Sequence, residues 1–120
     1  IQNQFRIGVT RMEKVIRDGK VAVLYSPGYG AGWSTWCYND DLIETLLFHP
    51  LIVEKVESGR ENEITAEWLV QQFGKEFEDV YCGGAGQLEI EWLPEGTAFR
   101  IDEYDGFETV ITKEYLYYVA

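Results

Sequence analysis

The dipeptide Asp-Gly occurs twice, at Asp18-Gly19 and Asp105-Gly106, and each time it separates two runs suited to pleated backbone. Tight hairpin turns need positive φ at both central positions, which Asp and Gly tolerate, so this is the strongest short-range hairpin signal a sequence carries. Met12–Arg17 precedes the first turn and Lys20–Tyr25 follows it, with β-branched Val15, Ile16, Val21 and Val23 among them. Such side chains are stiff at χ1 and favour strands. A competing reading uses the same residues. Thr10-Arg-Met-Glu13 fits a helix capping box, and Gly19 would stop a short helix at Asp18. The β-branched content favours the hairpin.

The middle of the chain changes character. Val21–Tyr25 reads as a buried strand bounded by Ser26-Pro27-Gly28, and a glycine- and aromatic-rich loop follows it. Asn39 and Asp40 are suitable N-caps for a helix reaching Phe48, and Pro50 suits the first turn of a second helix stopped at Gly59. Thr65 predicts the cap of a third helix carrying Trp68, Leu69 and Phe73 and closed by Gly74. The last third returns to strands. Gln87–Leu93 alternates, with Leu88, Ile90 and Trp92 on the core face, and Pro94-Glu-Gly96 turns the chain into Ala98–Tyr104, with Phe99 and Ile101 inward. Phe107–Lys113 and the apolar Tyr115–Val119 complete the strands. The expected architecture is a single α+β domain: N-terminal β-hairpin, central helices, C-terminal antiparallel meander.

A length of 120 residues suits one domain, and no repeat or linker divides the chain. Hydrophobic residues make up 46% and aromatics 15%, enough for a packed core despite a net charge of −11. No apolar run approaches the ~20 residues that span a bilayer, no leader is recognised, and two cysteines are too few for a disulfide scaffold. The expectation is a cytoplasmic protein without membrane association. Its charge is uneven: residues 1–20 hold five basic and two acidic side chains, and the remainder five basic and nineteen acidic. Such a field disfavours direct nucleic-acid binding and would attract a basic surface; the plainer reading is that the carboxylates keep the protein in solution.

The most unusual segment is Gly28-Tyr-Gly-Ala-Gly-Trp-Ser-Thr-Trp36. A glycine-rich turn between a strand and a helix lets backbone amides converge on an anion. Gly28, Gly30 and Gly32 supply the turn, Tyr29, Trp33 and Trp36 offer stacking faces, and Ser34 and Thr35 add hydroxyls. Arg11 and Arg17, with Arg6, stand in the basic stretch that would neutralise a phosphate. Neither established glycine-rich nucleotide fingerprint is present, and the alternative is that the glycines let backbone pass beneath large rings. Gly84-Ala-Gly86 would help frame a pocket if the fold brought it beside this loop.

Catalytic signals are weak. Ser34 lacks the second glycine of a nucleophile elbow, His49 is the single histidine, and Cys82 would need a tertiary partner. A small hydrolase using Cys82 or Ser34 is the least supported reading. No metal or cofactor is expected: two cysteines and one histidine lie far apart, without zinc spacing. Glu76-Phe-Glu-Asp79 and Asp102-Glu103-Tyr-Asp105 are the densest acidic clusters and read as solvated charge, with Arg100 and Asp102 sharing the exposed face of one strand.

Ser26-Pro-Gly-Tyr-Gly-Ala-Gly-Trp-Ser-Thr-Trp36 and Trp92-Leu-Pro-Glu-Gly-Thr-Ala-Phe-Arg-Ile-Asp-Glu-Tyr-Asp-Gly106, about a fifth of the chain, resemble a family of small proteins found largely in bacteriophage genomes. No catalytic residue is carried over from it. The resemblance implies an accessory viral protein that works in the bacterial cytoplasm against host defences. Two mechanisms are open. In the first, a non-enzymatic protein sequesters a small nucleotide-like signal in loop 27–36. In the second, an acidic inhibitor imitates nucleic acid and blocks a basic groove of a host defence protein. Pairing of the C-terminal segment with a second copy would give a homo-oligomer.

Overall fold

A computed structural model describes residues 13–112 and Ala120. Arg6, Arg11, the Thr10 capping box and the expected strand Tyr115–Val119 lie outside the described residues.

The first Asp-Gly turn closes a hairpin between β1 (Ile16–Arg17) and β2 (Lys20–Tyr25), with Asp18 at φ 51° and Gly19 at φ 76°. Beyond the short β1 ladder, the Ala22 amide donates to the Val15 carbonyl at 3.0 Å. β2 is apolar on both faces, as a central strand must be. Ala22 and Leu24 join a core with Trp33, Leu46, Ile52, Leu69 and Leu88, while Val21 and Val23 join Phe48 and Leu93 in a second cluster.

The helices form where their caps predict. Asn39 accepts from the Asp41 amide at 3.0 Å and opens a 3-10 turn, Asp40–Leu42, that runs into α1 (Ile43–Phe48). Pro50 begins α2 (Pro50–Glu57), and His49 caps it by accepting the Leu51 amide on Nδ1 at 3.1 Å. Thr65 accepts the Trp68 amide at 3.1 Å at the start of α3 (Ala66–Phe73), which Gly74 ends at φ 120°. Phe73 contacts the rings of His49, Trp68 and Phe77, with centroids 4.4, 5.9 and 5.4 Å away, and so ties α3 to the α1–α2 junction.

The C-terminal strands divide between two sheets. β3 (Glu89–Pro94) pairs antiparallel with β2, Val21 opposite Leu93 and Leu24 opposite Ile90, giving the order β1-β2-β3. Among the described residues, β4 (Phe99–Tyr104) and β5 (Phe107–Thr112) pair only with each other around Asp105-Gly106. The protein is therefore α+β, with an N-terminal hairpin, central helices and a C-terminal antiparallel pair, and β3 joins β2 instead of β4. The reason is tertiary. β1 covers only the start of one edge of β2, and β3 fills the other. The β4–β5 hairpin then lays Phe99, Ile101 and Val110 against the Val21–Val23 face. Each fully buried aliphatic side chain in these clusters contributes roughly 1.5–3 kcal/mol.

Candidate functional site

Loop 27–36 leaves β2 at its Tyr25 end and folds around one side chain of β5. Glu108 is completely buried, and its carboxylate accepts four hydrogen bonds: the Ser26 amide at 2.9 Å, the Trp33 amide at 2.8 Å, the Thr35 amide at 3.1 Å and the Thr35 hydroxyl at 2.5 Å. The Glu108 amide donates in return to the Ser26 carbonyl at 2.9 Å. The amides do converge on an anion, as glycine-rich turns allow, and that anion belongs to the chain itself. Polar satisfaction explains the arrangement: a buried carboxylate needs several donors, and a tight loop has several orphan amides to offer.

The loop residues singled out in the sequence separate accordingly. The Trp33 ring is fully buried and its Nε1 donates to the Leu46 carbonyl at 2.8 Å, so it is a core residue and offers no face to a ligand. Ser34 is buried as well, and Thr35 is held by Glu108. Gly28 packs under the Gln87 side chain and Gly32 under the Trp36 ring, so both fill the close-packing reading. Gly30 donates to the Asp105 carbonyl across the loop. Tyr29, 71% exposed, stands on the surface with its ring 5.1 Å from Phe107. Trp36 is half-buried, 5.0 Å from the Tyr81 ring, and Tyr81 donates its hydroxyl to the Gly30 carbonyl at 2.8 Å.

Arg17 is not part of this group. It faces Lys20 across the hairpin, at the opposite end of β2 from Tyr25, and five residue steps of strand separate those ends by about 16 Å. Its guanidinium forks onto Glu57 at 2.5 and 2.8 Å and lies 5.3 Å from the Trp92 ring. The Glu57 hydrogen bond and charge hold its pKa above the ordinary arginine value. The second glycine cluster does reach the loop, but as packing. A Cβ on Gly84 would sit 1.6 Å from the Ala31 carbonyl oxygen, and the Ser26 hydroxyl donates to the Gly84 carbonyl at 2.9 Å.

The candidate nucleophiles are restrained. Burial pushes the Cys82 thiol up to about 11, so it stays protonated near neutrality, where the thiol is a poor nucleophile. His49 uses Nδ1 as a helix cap, and burial holds its pKa below the ordinary 6.5 against a smaller opposing pull from Glu13. Among the described residues no group of three or more His, Cys, Asp or Glu is gathered to hold a metal, and no helix is long and apolar enough to cross a membrane. On β4, Arg100 and Asp102 form the exposed ion pair their spacing predicts, at 2.7 Å.

Beside Trp36 the surface turns acidic. A groove of about 230 Å³ is floored by Leu42 and Val80 and walled by Cys37, Tyr38, Glu76 and Asp79. Tyr38 is 101% exposed, with its whole side chain in solvent. Asp40, Asp41 and Glu78 are exposed immediately along the chain from these residues. Folding thus joins two acidic stretches that are distant in sequence, one before α1 and one after α3.

Sequence reasoning missed Glu108 and Tyr81. A signal for Glu108 exists in the alternation of β5, where it shares the face of Val110, a residue of the second cluster. A lone carboxylate on a buried face requires internal donors. A scan against protein-family models finds no match to this chain, and searches of curated proteins and of solved structures find none.

Proposed function

We propose that the protein is a non-enzymatic binding protein whose acidic, tyrosine-bearing face occupies a basic groove of a partner. In the setting implied by the bacteriophage resemblance, that partner is a host defence protein that handles nucleic acid. The observation that carries the reading is the groove at Tyr38: an apolar floor, a fully exposed aromatic and flanking carboxylates. Tyrosines contribute large contact area at small entropic cost and dominate many interfaces. Exposed carboxylates in a field of one sign speed encounter with a basic partner and fix its orientation. Sequestration of a nucleotide through loop 27–36 is the less supported mechanism, because the amides that would hold a phosphate already hold Glu108.

The test uses the full chain immobilised and exposed to bacterial lysate, with a charge-reversed variant (Glu76→Lys, Glu78→Lys, Asp79→Lys) alongside. Wild type should retain nucleic-acid-binding proteins that duplex DNA and added salt release, and the folded variant should not. Retention that is indifferent to salt, DNA and charge reversal overturns the reading.

A further inference from the structure

A second cleft, of about 460 Å³, opens where the 3-10 turn Glu61–Glu63 faces the 3-10 turn Ala85–Gln87. Glu61, Asn62, Thr65, Cys82, Gly86 and Gln87 contribute to its lining. One atom there is out of balance. Glu61 Oε1 is buried and has no hydrogen-bond partner. Leaving a polar group buried and unsatisfied costs about 1–3 kcal/mol, and more for a charged one, so such atoms are rare in folded proteins and call for an explanation. The nearby cations do not provide it. Lys55 bonds Glu63 at 2.5 Å, and Arg60 lies 3.8 Å from the same carboxylate.

The rest of the lining narrows what could satisfy that oxygen. Asn62 brings a carboxamide, the Gln87 oxygen is turned onto Gly28, and the Thr65 hydroxyl oxygen already accepts the Trp68 amide. Gly86 has no side chain to occupy the space beside Asn62, whose Oδ1 would lie 2.5 Å from a Cβ there. A buried, unpaired carboxylate oxygen on a chain of net charge −11 favours a cation that only donates. Guanidinium is the side-chain group of that kind with the most donors, five N–H in a plane that pairs with a carboxylate in two parallel bonds. The terminal carboxylate torsion of a glutamate is broad, so a modest rotation of Glu61 turns either oxygen toward an arriving donor.

We propose that this cleft binds a guanidinium group, with the Glu61 carboxylate as its counterion and the Asn62 carboxamide oxygen as a flanking acceptor. The inference does not depend on the Tyr38 groove. The group has two possible sources, an arginine side chain of a protein or a small free guanidine, and their chemistry at Glu61 is the same.

An amide chemical-shift titration of the full chain tests it, with N-acetyl-arginine amide, agmatine and N-acetyl-lysine amide as probes. Saturable shifts at Asn62, Cys82, Gly83 and Gln87 with either guanidinium probe are expected, at millimolar affinity for so small a group. Tighter binding of the capped arginine assigns the site to a protein side chain, and tighter binding of agmatine to a small guanidine. The lysine probe and the Glu61→Gln variant should each bind about tenfold more weakly. Asn62→Lys, which sets an internal ammonium beside Glu61, should also abolish the shifts while leaving the remaining spectrum unchanged. Absence of saturation, equal binding of the lysine probe, or undiminished binding to Glu61→Gln overturns the proposal.

Discussion

Truncating Glu108 strands three backbone amides and one hydroxyl, with the Ser26 and Trp33 amides buried and the Thr35 groups half-buried. Each buried donor left unpaired carries a desolvation penalty, so Glu108→Ala should lose about 3–4 kcal/mol of unfolding free energy in urea. Glu108→Gln should lose less, because it keeps one acceptor oxygen although its amide nitrogen then faces other donors. A loss below about 1 kcal/mol for the alanine variant, within the range of ordinary surface substitutions, would contradict the internal-anion account of the loop. Trp33→Ala should cost a similar 3–5 kcal/mol through its cavity and its lost bond to Leu46, so it reports on folding and is unsuitable as a binding control. At this scale the sequence was half legible. The glycines and rings of 28–36 pointed to converging amides, and that convergence is real. The identity of the anion was hidden because Glu108 lies more than seventy residues away, and only the tertiary fold makes it a neighbour.

Elements whose signals are local were readable, and those defined by a missing neighbour were not. Asp18-Gly19, Pro50 and Thr65 act through their own backbone within a few residues, and each does so where the sequence predicts. The strand Glu89–Pro94 was readable as a strand but not as the partner of β2, because that choice depends on which edge of β2 stays open. The cap on α2 carries a pH dependence with a definite sign. His49 accepts the Leu51 amide on Nδ1, which requires the neutral ring. Its folded pKa lies below the ordinary 6.5 through burial, so the unfolded chain takes up the proton first. Stability from the neutral ring is therefore full above 6.5 and is lost as pH falls through the lower folded value. The thermal midpoint of wild type should drop between about pH 7 and 5.5 more steeply than that of His49→Asn, which keeps a capping acceptor and does not titrate. Identical slopes would remove His49 as the cause. Where the two glycine segments touch, Gly84→Ala must move either the Ala31 carbonyl or its own turn. Overpacking of this kind costs about 1–3 kcal/mol, and denaturant unfolding should register it.

For the whole molecule, the excess of carboxylates was legible from composition, but its concentration was not. Tyr38 precedes α1, Glu76 and Asp79 follow α3, and only the packing of those helices sets them around one groove. A surface field of this sign acts over roughly 10 Å at 0.1 M salt, so affinity for a basic partner should weaken as ionic strength rises. Tyr38→Ala should reduce retention of that partner without moving the thermal midpoint, since the side chain is fully exposed. The choice between an acidic docking protein and a nucleotide-sequestering one turns on whether the loop amides are already committed. An amide chemical-shift titration of the wild-type chain against cyclic and NAD-derived nucleotides reads that directly. The account predicts that the Ser26, Trp33 and Thr35 amides stay in place up to high micromolar nucleotide, held by Glu108. Saturable movement of those three signals would contradict it.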